Sequence, residues 1–359
     1  MKWHLNISCF FALLIFIIIT GCGNHSSQQL SRAAPGEKGF SSEKLDTLAA
    51  FLKKSDASSM LLLVDGAVIF EWGNTRKKHL IHSMRKCLLN SLIGIAVSDG
   101  KIDTSQTLRE LDIQDIGPRL SEYELNARVA DLLKSRSGVY HNAAAVSQGM
   151  LKEMPVRDSY PPGKHYYYNN WDFNTLGAIL EQQTGKSIYE LFYTQIAQPL
   201  GMRDYKGKYT TINGESKEFV AMPKTDGFYQ FEKSKSKYPA YHFRMSSRDL
   251  ALYGQLYLNN GKWNGRQIIP KTWIEASTRP YSVYNKKCHL AYGMLWRIRL
   301  TEDNKLRAFF HTGVGIHMLA VYPEEKMVLV HRVDTENEYH YNGNNIYRML
   351  DLVFDAKLK

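Results

Sequence analysis

An α+β fold, with one sheet formed from both ends of the chain and a mainly helical lobe inserted between them, is predicted by three features of this 359-residue sequence. Short strand-like runs lie near the start and again towards the end, and the stretch from Ser83 to about Lys237 reads as mostly helical. A hydrophobic content of 44% with 12% aromatics supplies a sizeable core and argues against disorder.

Taken in order, Lys2 gives a short positive region, FALLIFIII (Phe11 to Ile19) an apolar one, and Thr20-Gly21-Cys22 small residues at its end. This is the pattern of a secretory signal over residues 1–21. The rival reading, a transmembrane anchor, needs ~20 apolar residues, and the run from Leu5 to Thr20 is shorter. Ile19 to Cys22 also resembles a bacterial lipobox, which implies a lipid on Cys22 and an exported protein of the cell envelope or periplasm, anchored to a membrane without spanning it. An ordinary cleavage site that contains a cysteine is the alternative. Residues 22–40 read as a flexible tether, polar and rich in small side chains.

The domain, residues 41–359, opens with SEKLDTLAAFLKK, whose periodicity and leading serine predict a helix, and with SSMLLLVDGAVIFEWG, two strands around an Asp65-Gly66 turn. A sheet lobe is expected at about 41–82 and 245–359, and a helical lobe at about 83–244 with loops at SRSGVYH and SYPPGKHYYYNN. SSRDLALYGQLYLNNG is a serine-capped helix ending near Gly261. The strand-like runs LAYGMLWRIRL, RAFFHTG, HMLAVYP and KMVLVHRVD follow, and NIYRMLDLVFDAKLK closes the chain as a helix.

The net charge of +11 is scattered along the chain, apart from EKSKSKY at Glu232 to Tyr238. No nucleic-acid motif accompanies it, so nucleic acid is excluded as a partner and a solvated basic face is expected. Only Cys87 and Cys288 would remain in the mature body, too few for a disulfide framework, and Cys87 is expected to be a small packed residue. Neither the cysteines nor the twelve histidines show metal-ligand spacing.

Three segments carry residues suited to chemistry. Ser83 stands three residues before Lys86 at the head of a helix whose next turns, LLNSLIGIAV, are almost wholly apolar. On a helix these positions share a face, so the lysine amine can reach the serine hydroxyl, and an apolar setting disfavours its charged form. The same spacing at Ser41 and Lys44, Ser98 and Lys101, and Ser234 and Lys237 has no such setting, and Ser41 reads as a helix cap. In PPGKHYYYNNWDFNTLGAILEQQTG, one of Tyr166, Tyr167 and Tyr168 can act as a general base if a lysine ammonium lowers its pKa. The other two are expected to cover the core, and Asn170 can hydrogen-bond both substrate and lysine. In FFHTGVG, a strand edge with a small Thr312-Gly313 step lets a substrate lie alongside, and His311 can add a hydrogen bond or a positive charge.

Ser83-Met84-Arg85-Lys86, Tyr168-Asn169-Asn170 and His311-Thr312-Gly313, in that order, resemble the three motifs of the serine β-lactamase and penicillin-binding-protein superfamily. The likeness is to the class C-related branch that includes esterases and 6-aminohexanoate-dimer hydrolases, and it extends over about residues 41–355 through segments such as IAQPLGM and LAVYPEEKMVLV. The resemblance implies a β-lactamase/transpeptidase-like fold, an antiparallel sheet flanked by helices, with the site in the cleft beside the inserted lobe. It implies Ser83 as nucleophile, Lys86 as its proton partner, Tyr168 as general base and acid, and Asn170, His311, Thr312 and Gly313 as positioning residues. The oxyanion hole would be the N–H groups of Ser83 and Val314. Two departures stand out: histidine replaces the usual lysine at 311, which removes a fixed cation, and Ile316 and His317 follow where small or amide residues are usual. The expectation is a monomeric serine hydrolase of small esters, amides or peptides that needs no cofactor. A β-lactamase or D-alanyl-D-alanine carboxypeptidase is the alternative, and a non-catalytic peptidoglycan-binding lipoprotein the alternative of another class.

Overall fold

The computed structural model describes residues 30–216 and 221–358. The expected signal peptide, Cys22 and the first part of the tether lie outside the described residues. Nine strands form the main sheet, in the spatial order Ser31–Arg32, Ala67–Gly73, Ala57–Val64, Met327–Val333, His317–Tyr322, Leu306–Gly313, Arg297–Leu300, Leu290–Tyr292 and Ser282–Asn285. Neighbours run antiparallel except Ser31–Arg32, which is parallel to Ala67–Gly73. The two ends of the chain meet inside this sheet, where Met60 pairs with His331 and Leu62 with Leu329.

Alternation along the strands decides what covers each face. Met60, Leu62, Met318, Ala320 and Leu329 pack with the first helix, Ser42–Lys53, and the closing helix, Gly343–Asp355. Leu61, Leu63, Leu319, Val321, Val328 and Val330 join the other layer, which contains the helices Arg85–Ser98 and Ser247–Leu258. Ser247–Leu258 approaches the sheet so closely that a Cβ on Gly254 would lie 2.5 Å from Val328 Cγ1, which is why glycine stands there. Arg85–Ser98 is buried from Arg85 through Ala96. Its polar Asn90 is paired: Nδ2 donates to Ser277 Oγ at 3.0 Å and to Met294 O at 2.8 Å, and Oδ1 accepts from Tyr257 OH at 2.8 Å. Those bonds fix the helix that follows Ser83.

Two boundaries differ from the sequence expectation. Ser31–Arg32 pairs at the sheet edge and Phe40, 3% exposed, bridges to Lys357, so the expected tether is packed on the domain from residue 31 onward. Backbone pairing of this kind needs no apolar side chains, so a polar composition conceals it. The inserted lobe has the expected helices, Asn170–Thr184 foremost, but also a four-stranded sheet in the order His79–Leu80, Ala240–Met245, Gly227–Phe231, Tyr209–Asn213. Ala240–Met245 alternates Tyr241, Phe243 and Met245 with His242 and Arg244, yet it is buried at every position, so its polar residues mark no solvent face. Among the described residues no helix is long and apolar enough to cross a membrane.

Candidate active site

His79–Leu80 delivers the chain into the core, where Ile81 N–H donates to Phe243 O at 2.9 Å. His82 then takes a left-handed φ of 47°, uncommon for a residue with a side chain. Its ring is held with Nε2 2.9 Å from Thr335 Oγ1 and is stacked on His317 at 5.5 Å between centroids. The turn His82–Met84 leads directly into Arg85–Ser98, so Ser83 stands partly exposed at the mouth of a buried helix. It is not a cap, since no side chain caps that helix. Its Oγ instead lies 3.1 Å from Lys86 Nζ. Ser41, by contrast, is the cap its sequence suggested, accepting from Lys44 N–H at 3.3 Å.

Lys86 is 1% exposed, and its Nζ lies 4.8 Å from the centre of the Tyr168 ring and 4.7 Å from that of Phe173. Burial, reinforced by the charges of Arg85 and Arg297, holds its pKa well below the ordinary lysine range. The Tyr168 hydroxyl is buried and, among the described residues, makes no hydrogen bond of regular geometry, although Ser83 and Arg297 lie close enough to favour its ionised form. Burial raises its pKa despite the opposing pull of Arg297, Ser83 and Arg85. The structure thus corrects the expected tyrosinate beside a lysine ammonium, because desolvation dominates both groups and favours a neutral amine beside a neutral phenol. The other two tyrosines cover the core: Tyr167 donates to Met150 O at 2.6 Å, and Tyr166 packs on Tyr284 and Tyr292 with centroids 5.6 and 5.2 Å away.

Asn170 begins its helix with Nδ2 donating to Ala145 O at 2.7 Å, and its Oδ1 is buried with no partner among the described residues. It makes no bond to Lys86, contrary to expectation. His311 is fully buried; its Nδ1 lies 2.9 Å from Thr312 O and its Nε2 has no partner among the described residues. Burial, then Arg297 and Lys86, push its pKa well below 6.5, so the positive charge considered for it is replaced by a neutral ring. The ladder between Leu306–Gly313 and Arg297–Leu300 ends at the Phe310 and Arg297 pair, which leaves one main-chain edge of His311, Thr312 and Gly313 without a strand neighbour among the described residues. A Cβ on Gly313 would lie 2.6 Å from Ile81 O and 3.1 Å from His82 Cβ, so this strand end abuts the segment before Ser83. Val314 follows in a tight turn with its side chain 58% exposed. Among the described residues, the N–H groups of Ser83 and Val314 donate to no protein acceptor. Thr312 contributes instead to the wall of a cavity it shares with Arg297.

Arg297 is the residue the sequence did not reveal. Its guanidinium lies 5.3 Å from the centre of the Tyr168 ring, and its Nη1 donates to Tyr284 OH at 3.0 Å. The RIR run places cations at alternate strand positions, but the pairing that carries the first of them to Tyr168 is not readable from it. Cys87 is packed as expected, its Sγ 2.9 Å from Met84 O, and burial pushes its thiol pKa up. Cys87 and Cys288 are both free thiols.

A partly exposed serine beside a buried lysine and tyrosine, on an α+β scaffold with an inserted lobe, defines the class of folds built for acyl transfer to serine. The sequence profile of the Beta-lactamase family matches residues 48–353, and the chain belongs to that family. A Salmonella typhimurium protein, named provisionally as a D-alanyl-D-alanine carboxypeptidase, is 23% identical over 234 residues, 53% of this chain and 52% of that protein. The chain thus spans about half the length of the curated relatives it matches. Among solved structures, a Bacillus anthracis protein provisionally named a 6-aminohexanoate-dimer hydrolase is 20% identical with a TM-score of 0.65, covering 91% of this chain and 87% of its own. A family VIII carboxylesterase is 15% identical with a TM-score of 0.62 over 91% of this chain and 99% of its own. At these identities the structures establish the shared fold.

Proposed function

We propose that this chain is an exported serine hydrolase that cleaves an ester or small amide through an acyl-enzyme on Ser83. The observation that carries this reading is the buried amine of Lys86, held towards its neutral form 3.1 Å from Ser83 Oγ. As Oγ attacks the substrate carbonyl, Lys86 Nζ takes its proton and the carbonyl oxygen collects negative charge facing the N–H groups of Ser83 and Val314. The bond to the leaving alcohol or amine then breaks as Tyr168 OH protonates it, and Lys86 returns the proton to Tyr168. Water attacks the acyl carbonyl and gives a proton to the same pair, which passes it to Ser83 Oγ as the acyl C–O bond breaks and the acid leaves. Asn170 Oδ1 and His311 Nε2 are acceptors for substrate N–H or O–H groups, and the free edge of His311, Thr312 and Gly313 aligns the chain of the substrate.

Fluorophosphonate labelling tests the assignment: the label should appear on the wild type and be lost in Ser83→Ala, and unchanged labelling of Ser83→Ala overturns it. A second reading, a D-alanyl-D-alanine carboxypeptidase or β-lactamase, is supported by Arg297, a fixed cation near the place where relatives carry lysine. A panel of p-nitrophenyl esters, short amides, D-alanyl peptides and a chromogenic cephalosporin, run with Arg297→Gln, separates the two. We further read the protein as monomeric and lipid-anchored at Cys22. Loss of acyl-chain labelling and of membrane association in Cys22→Ala is the expected result for the anchor.

A further inference from the structure

A cavity of about 480 Å³ lies between the closing helix and the strands Arg297–Leu300 and Leu306–Gly313. Sites for small ligands have volumes of ~300–1,000 Å³. Its floor is apolar: Phe310 and Met318 come from the sheet, and Ile346, Leu350 and Phe354 from one face of the helix. Its charged groups are mostly cationic. Arg297 and Arg299 project from alternate positions of one strand. Arg307 joins them because the register slips: Arg299 pairs with Ala308 but Leu300 with Leu306, which leaves Arg307 as the extra residue of a bulge that re-aims its side chain.

Asp351 is the sole acid among the lining residues, and none of the three arginines makes an ion pair among the described residues. Arg307 lies 5.1 Å over the Phe354 ring, Arg299 donates to the carbonyl of Cys288, and Arg297 keeps a buried Nε with no partner. Three guanidiniums gathered around an apolar floor, with one lining carboxylate that pairs with none of them, are left with unused donors that an anion satisfies. The cavity reaches solvent at Tyr347, 63% exposed, and touches the motif strand at Thr312.

We propose that this cavity binds an anionic amphiphile, an apolar chain ending in a carboxylate. The chain lies on the floor formed by Phe310, Met318, Ile346 and Leu350, and the acid sits between Arg299 and Arg307. An inorganic anion alone would leave the floor exposed, and a neutral chain would leave the donors unused. The inference does not depend on Ser83 being reactive, and its test uses Ser83→Ala protein, so its failure is distinguishable from failure of the hydrolase reading.

Decanoate titrated calorimetrically into Ser83→Ala protein should bind saturably. Adding Arg299→Gln and Arg307→Gln should weaken binding about tenfold or more, and Leu350→Trp, which fills the floor, should abolish it. 1-Decanol should bind with the same weak affinity to the parent and to the arginine variant. In the active enzyme, decanoate that competes with an ester substrate marks the ligand as an arm of the substrate, and decanoate that binds without competing marks a separate ligand; both results keep the site. No saturable decanoate binding, or equal affinity in an arginine variant that melts like its parent, overturns the proposal.

Discussion

Replacing Lys86 with methionine keeps the length and apolar stem of the side chain and removes only the amine. Holding an ammonium at this depth costs several kcal/mol of desolvation. The Tyr168 and Phe173 faces, at 4.8 and 4.7 Å, return about 0.5–2 kcal/mol each, while Arg85 and Arg297 add repulsion. Desolvation and repulsion win, so the amine is held towards its neutral form, the form that serves as a base. Loss of that base in Lys86→Met should lower kcat/KM for a p-nitrophenyl ester by about 10²–10⁴, equivalent to ~3–5.5 kcal/mol of barrier. The melting temperature should hold or rise, because a buried amine with a single hydrogen bond gives way to a thioether. In the wild type, activity should be present above the depressed Lys86 pKa and fall away as pH drops through it, without an alkaline onset near 10.5. Linkage gives a second readout. The folded pKa lies below the unfolded value, so between the two the unfolded chain holds the extra proton and folded stability rises with pH. Lys86→Met should flatten that rise. A folded Lys86→Met protein that turns over at the wild-type rate refutes the reasoning.

Tyr168→Phe should lower kcat about 10²-fold for amides and alkyl esters, whose leaving groups need a proton, and have little effect on p-nitrophenyl esters; an equal loss for both classes removes tyrosine as the acid. The buried histidines predict acid sensitivity: the pKa of His79 is pushed from 6.5 to about 4 by burial and then Arg332, and that of His82 to about 4 by burial and then Arg85. Between 6.5 and about 4 the unfolded chain binds protons that the folded one refuses, so stability is full above 6.5 and is lost as pH falls through that window, on the order of 3 kcal/mol from His79 alone. Urea midpoints at pH 7.5 and pH 5 should differ in that direction, and equal midpoints would count against it.

The parts of the fold legible in the sequence are those where one local signal suffices. Ser41 has a cap spacing, Asp65-Gly66 joins two apolar runs, and the late runs are short and rich in apolar and β-branched residues, so the first helix, the hairpin and the late strands are found where expected. The second sheet is harder to read: Ala240–Met245 alternates but is a short run whose polar His242 and Arg244 are buried too, and Tyr209–Asn213, at the far edge of that sheet beside Gly227–Phe231, is mostly exposed. At the site, the nearness of Ser83 to Lys86 follows from helical spacing alone. What Tyr168 and His311 meet does not, since both depend on a cation on a neighbouring strand and on how deeply the groups are buried. Asn170 illustrates the same limit: its position was readable, but its bond to Ala145 O across a loop was not.

Arg297 also ties the departures in the third motif together. With histidine at 311 the strand offers no fixed cation, and burial keeps that imidazole neutral. A neutral group there would by itself leave Lys86 with less reason to give up its proton. Arg297, on the adjacent strand and over the Tyr168 ring, restores a permanent charge that depresses Lys86 and opposes the rise of the Tyr168 pKa. Guanidinium suits this position better than ammonium, because it stays charged beside aromatic faces where a lysine would lose its proton. In this chain the fixed charge lies one strand away from His311 and acts on both Lys86 and Tyr168. Its position on the wall shared with Thr312 also puts it on the lining of the cavity under the closing helix, so the proposed amphiphile site and the Ser83 site have one guanidinium in common.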